Sequence, residues 1–145
     1  MSRTFVAEQS YYFKSPPGKV FDSLTEPGLL VKWFLSKAKL DKKSGGAYQF
    51  DWIGGYHMEG KVKEFEEGKR VTFSRHDKIP SGEMVETSAS FQVEKKGSGS
   101  ILSLRHSGFR DPEHLAECSS RWAYYLTNLK SVLEYGHDLR SEYDW

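Results

Sequence analysis

The chain has 145 residues, a length suited to one domain, 1–145, that buries roughly two-thirds of the surface its unfolded form exposes. Its 21 basic and 20 acidic residues leave a net charge of +1, which argues against a nucleic-acid partner, and no stretch approaches the ~20 apolar residues of a membrane span. A single cysteine, Cys118, excludes an intramolecular disulfide; with low mean hydropathy and no basic-then-apolar leader in MSRTFVAEQSYYF, the expected location is the cytoplasm.

In chain order, Thr4 to Phe13 alternates loosely and is rich in β-formers, which predicts a first strand. Ser15-Pro16-Pro17 follows as a helix start, with the serine as cap and proline in the first turn. Val20, Phe21 and Leu24 then recur at helical spacing. Thr25-Glu26-Pro27 repeats the signal and predicts a second short helix carrying Leu29, Leu30, Trp33 and Phe34.

The middle of the chain reads as strands divided by turns. Gly45-Gly46 opens a strand in which Tyr48, Phe50 and Trp52 share a face, and Gly54-Gly55 supplies a hairpin turn. Tyr56 to Phe65 is the next strand, turned at Glu67-Gly68. Val71 and Phe73 alternate with Thr72 and Ser74, and Pro80-Ser81-Gly82 breaks the chain again. Ala89, Phe91 and Val93 share one face of the following strand. After the Lys96–Gly99 turn, Leu102, Leu104 and His106 share one face of the last. A period of two with one polar side predicts an antiparallel sheet with one wet face.

The final element runs DPEHLAECSSRWAYYLTNLKSVLEY over 111–135. Asp111-Pro112-Glu113 combines a cap, a first-turn proline and an acid that suits the helix dipole. Leu115, Cys118, Trp122, Leu126, Leu129 and Leu133 recur at three and four residues, forming a stripe that must face the sheet. Gly136 is the expected C-cap, and the tail ends in an exposed Trp145.

Five segments carry a resemblance: PPGKVFDSLTEPGLLVKWF (16–34), GGAYQF (45–50), GKVKEFEEGKRVTFS (60–74), HSGF (106–109) and RWAYYLTNLKSVLEYG (121–136). In order and over nearly the whole chain, they resemble the single-domain members of the Hsp90-ATPase-activator-homologue group, within the START-like (helix-grip, SRPBCC) superfamily. The resemblance implies an α+β fold: a curved antiparallel sheet of about six or seven strands wrapped around a long C-terminal helix, with two short helices after the first strand. It also implies a cavity between sheet and helix, which in the superfamily holds lipids, sterols, polyketides or other apolar ligands. Two departures stand out. Arg75 occupies a position where relatives often carry Trp, and it is followed by the polar His76-Asp77. The eukaryotic proteins behind the family name have an additional N-terminal domain that this chain is not expected to contain, so chaperone activation is not carried over.

By strand phase, Tyr48, Phe50, Trp52, Phe73, Phe91, Leu104 and His106 point at the helix and meet Trp122 and Leu126. Small-molecule pockets have this composition, mostly apolar with a few placed polar groups; a filled core has it too. Trp33 and Phe34 are expected to cover the mouth. An inward Arg75 would need a carboxylate, phosphate or water; if the strand ends by residue 74, it is a solvated rim residue, and this is the reading adopted. His106 is expected to be structural rather than a base, and Cys118 a small buried hydrophobe.

No catalytic residue is assigned. The five histidines show no metal-ligand spacing, and the i, i+4 pair His114 and Cys118 does not by itself make a zinc site, so no metal or cofactor is expected. The Glu64, Glu66 and Glu67 cluster and the lysines 32, 37, 39, 42 and 43 read as solvated surface. The leading expectation is a non-enzymatic binder of a small apolar or amphipathic molecule, with the aromatic side chains lining the pocket and Arg75 and His106 supplying its polar contacts. The alternatives are an interaction module, as a homodimer or chaperone partner, and a cavity enzyme of the polyketide cyclase or hydrolase type.

Overall fold

The computed structural model describes residues 4–142, so the expected exposure of Trp145 lies outside the described residues. Seven strands form one antiparallel sheet: β1 (Phe5–Phe13), β2 (Lys37–Leu40), β3 (Ala47–Asp51), β4 (His57–Glu66), β5 (Arg70–Lys78), β6 (Met84–Lys96) and β7 (Gly99–Phe109). Their spatial order is β1-β7-β6-β5-β4-β3-β2. The chain between β2 and β7 is therefore a plain meander, and only β1 reaches across to pair with β7. Two short helices, α1 (Pro17–Thr25) and α2 (Pro27–Leu30), follow β1, and the long helix α3 (Pro112–Tyr135) closes the fold. No helix among the described residues is long and apolar enough to cross a membrane.

The α3 boundaries obey the local signals. The Asp111 carboxylate accepts from Glu113 N–H at 2.8 Å, and Gly136 adopts a left-handed φ of 66° at the C-cap. The stripe predicted on α3 is the one that packs. Trp122, Leu126 and Leu129 enter the main core with Leu133 against it, while Cys118 and Leu115 join Ala7 and Phe109 in a smaller cluster.

The structure corrects four local expectations. Neither Ser15 nor Thr25 caps a helix: the N-caps are Pro16 and Glu26, without side-chain capping hydrogen bonds. Thr25 instead donates to Phe21 O within α1 at 3.0 Å. α2 is a single turn, so Trp33 and Phe34 lie in the turns beyond it. Lys37–Leu40 forms an edge strand where only a basic surface was read. β5 continues to Lys78, so Arg75 is not a residue beyond the strand end.

The chain from Val31 to Leu35 is tied down from the far end of the molecule. Asn128, fully buried on α3, donates to Trp33 O at 2.9 Å. Arg140, in a 3-10 turn at Leu139–Glu142, donates to Leu35 O at 3.1 Å and Val31 O at 2.9 Å. These bonds satisfy carbonyls that no ladder reaches, and they fix Phe34 over the end of the sheet.

Gly60 shows how tightly the far side is packed. A Cβ there would lie 2.6 Å from the Tyr48 ring and 2.8 Å from Ser74 O. The absent side chain lets Tyr48 lie flat across β4, where its hydroxyl donates to Ser74 O at 2.5 Å.

Candidate functional site: a polar-ended groove between β5 and α3

The concave face is apolar at one end and polar at the other. In the apolar part the rings of Tyr48, Phe50, Phe73 and Phe91 fill the space themselves. Tyr48 and Phe50 lie 4.4 Å apart, Phe50 and Phe73 5.7 Å, and Phe91 and Trp122 5.2 Å. The void left among them measures only about 20 Å³, the size of one water. Trp33, whose indole N–H donates to Ser23 O at 2.9 Å, is buried beside that void. Leu104 and Leu126 are core residues that line neither space. Strand phase put Tyr48, Phe50, Phe73, Phe91 and Leu104 on one face, and all five are buried in the main core.

The larger space, about 760 Å³ and open to solvent, lies at the polar end. Its aromatic side is Phe34, Trp52, Tyr56, Trp122 and Tyr125. Phe34 is the hub, with ring centroids 5.3 Å from Trp52, 5.4 Å from Trp122 and 5.0 Å from Tyr125. Of the twelve residues proposed from sequence to line a pocket, Phe34, Trp52, Arg75 and Trp122 line this groove. The rest of its wall comes from Ile53, the end of β5, the Ile79-Pro80 turn and the first half of α3. Gly82 makes that turn possible, with φ 90° and its N–H bonded to Ile79 O at 2.8 Å.

Arg75 points inward, which overturns the rim reading. Alternation along β5 puts Val71, Phe73, Arg75 and Asp77 on the same side. The Arg75 side chain is 13% exposed, its Nη2 is 3.3 Å from Asp77 Oδ1, and its Cζ sits 5.6 Å from the Trp122 ring centroid. Its Nε is buried without a hydrogen-bond partner. The same carboxylate reaches across to α3, where Asp77 Oδ2 is 3.2 Å from His114 Nε2. Burial alone would raise the Asp77 pKa; the Arg75 charge and the His114 hydrogen bond outweigh it, and the carboxyl is held below its usual value.

His106 is the structural residue expected. It is fully buried, and both ring nitrogens are engaged. The Trp122 indole N–H donates to Nδ1 at 3.0 Å, and Nε2 lies 2.7 Å from Thr87 Oγ1. Because indole is only a donor, Nδ1 must be unprotonated; Nε2 then carries the hydrogen and gives it to Thr87. Burial, reinforced by the nearby Arg75 charge, pushes its pKa down to about 3. A ring with no free nitrogen and no solvent access is not a general base; of the two groups the cavity-enzyme reading could use, His106 or Arg75, Arg75 is the one that points inward beside a second polar group, Asp77.

Cys118 and His114 do face each other one turn apart on α3, and the structure adds a third group. Ligand atoms of Asp77, His114 and Cys118 lie within 4.8 Å of one another, and all three residues are buried and line the groove. Spacing along the chain cannot reveal Asp77, which lies on β5. Burial pushes the Cys118 thiol up to about 11, so it is no activated nucleophile.

The remaining candidates behave as surface. Glu64 pairs with Arg70 at 3.7 Å, Glu66 with Lys69 at 3.6 Å, Lys43 with Asp41 at 3.7 Å, and Lys42 with Glu26.

Comparison with known proteins agrees with this architecture. Protein MLL2253 from Mesorhizobium loti superposes with a TM-score of 0.78 at 21% identity, over 91% of this chain and 97% of that one. The Aha1 dimer from Colwellia psychrerythraea gives a TM-score of 0.77 at 26% identity, over 91% and 98%. DynU16, a putative protein in the dynemicin biosynthetic locus, gives 0.83 at 20% identity, over 97% of this chain and 50% of that one. Among curated proteins none matches in sequence. The family model for Activator of Hsp90 ATPase homolog 1-like protein matches residues 14–134, and the chain belongs to that family.

Proposed function

We propose that this protein is a non-enzymatic binder of a small amphipathic molecule, held in the end groove rather than in the middle of the sheet. The observation that carries this reading is the pairing of an aromatic wall with an inward arginine in a space of about 760 Å³, within the usual range for ligand sites. The apolar body of the ligand lies against Phe34, Trp52 and Trp122. Its polar end carries an oxygen that accepts from Arg75, whose planar fork suits such a group. Displacement of a bound naphthalene sulfonate dye by decanoate, decanol and decylammonium tests the reading. Decanoate and decanol are expected to compete better than decylammonium, with Arg75→Met weakening decanoate most. A dye that does not bind, or that binds unchanged in Trp122→Ala, sinks it.

A second reading, self-association, draws on the 26%-identical Aha1 dimer. Light scattering across a concentration series tests it, and a monomer at every concentration rejects it.

A further inference from the structure

We infer that Asp77, His114 and Cys118 form a mononuclear site for a borderline transition-metal cation of the zinc class, with its fourth position open to the groove. This goes beyond ligand binding and does not depend on what fills the groove.

Three observations carry it. First, the donor set is one carboxylate, one imidazole and one thiol, the residue types that bind zinc and cobalt(II) and that calcium and magnesium do not select. Second, the residues are prearranged. His114 and Cys118 are one turn apart on the rigid helix, and Asp77 approaches from β5, with all three ligand atoms within 4.8 Å. Tetrahedral bonds of about 2.0–2.3 Å put donor atoms roughly 3.3–3.7 Å apart. The Asp77–His114 edge, at 3.2 Å, is within about 0.1 Å of that range.

Third, the site has an entry path: Asp77, His114 and Cys118 all line the groove, which is open to solvent.

Asp77 is also oriented as a ligating carboxylate usually is. Its Oδ1 is held by Arg75 at 3.3 Å, which leaves Oδ2 for the metal. The guanidinium opposes the cation's charge, and thiolate formation offsets it: binding M²⁺ displaces the Cys118 proton to solvent, so the bound set of carboxylate, thiolate and neutral imidazole carries two negative charges. Because burial holds the thiol protonated, that proton is released on binding at neutral pH.

The test titrates the tag-free chain with Co²⁺ and competes it with Zn²⁺. The chain has one cysteine, so a sulfur-to-cobalt charge-transfer band can come only from Cys118. The expected result is a band that saturates at one equivalent, tetrahedral d–d absorption, release of about one proton per metal, and loss of the band on adding Zn²⁺. Cys118→Ser abolishes the band, and His114→Gln and Asp77→Asn weaken binding by about tenfold or more. If a variant fails to fold, protection of the native Cys118 thiol from a disulfide reagent by Zn²⁺ gives an independent reading. Absence of the band with cobalt in excess, or unchanged thiol reactivity with zinc, overturns the proposal. So does metal binding confined to the surface His57, Asp51 and Glu59 group, which leaves no sulfur signature.

Discussion

Replacing His106 by glutamine should flatten the acid side of this protein's stability profile. The neutral ring bridges Trp122 and Thr87 in a fully buried place. In the folded protein its pKa lies at about 3, against 6.5 for the free side chain. As pH falls below about 6.5 the unfolded chain takes up a proton that the folded chain refuses, so stability declines with pH through this window. At about 1.4 kcal/mol per unit, His106 alone costs about 2 kcal/mol by about pH 5. Glutamine offers Trp122 a carbonyl and Thr87 an N–H donor, but it does not titrate. Urea denaturation followed by tryptophan fluorescence, from about pH 7 to about pH 4.5, measures both proteins. The variant should lose about 1–2 kcal/mol at pH 7 and then converge on the wild type as the pH falls, because one proton fewer is taken up on unfolding. The other histidines and Asp77 are common to both and cancel in the difference. Parallel profiles would refute the buried, neutral assignment.

Other substitutions test separate parts of the structure. His106→Leu leaves the Trp122 indole and the Thr87 hydroxyl buried without their partner, so the midpoint in urea should fall by more than for glutamine, at about 1–3 kcal/mol per orphaned group. Asp111→Ala removes the cap on Glu113 N–H and should cost about 1 kcal/mol by thermal denaturation, whereas Asp111→Asn should restore most of it. Gly60→Ala drives a methyl into the Tyr48 ring and should cost about 1–3 kcal/mol, with a perturbed tyrosine signal in near-ultraviolet dichroism. Phe91→Ala opens a cavity among Phe73 and Trp122 and should cost about 3–5 kcal/mol, while leaving dye binding in the end groove measurable in conditions where the variant is folded.

Local signals in the chain carried much of the architecture. An aspartate cap followed by proline, a stripe at three and four residues and a terminal glycine specify α3, because each acts within a turn or two of backbone. Period-two alternation likewise placed Tyr48, Phe50, Phe73, Phe91, Leu104 and His106 on the concave face, since a pleated strand leaves each side chain only two directions. The short elements were less legible. Lys37–Leu40 alternates, but over only four residues, too short a run to announce a strand, and it pairs with β3 at the sheet edge. Ser15 and Thr25 have the chemistry of caps, yet neither occupies the cap position: Pro16 and Glu26 do, and the Thr25 hydroxyl turns back to Phe21 O within α1.

The sequence by itself determined which faces are buried, because burial follows the period of each element. Only the tertiary structure decided where space remains. Whether facing aromatics touch or leave a gap depends on the curvature of the sheet and the height of the helix above it, to within the width of one ring. That distance closed the middle of the sheet around Phe50, Phe73 and Phe91 and left the opening at the polar end. It also brought Asp77 on β5 to His114 and Cys118 on α3, a meeting across 37 residues that no spacing along the chain records.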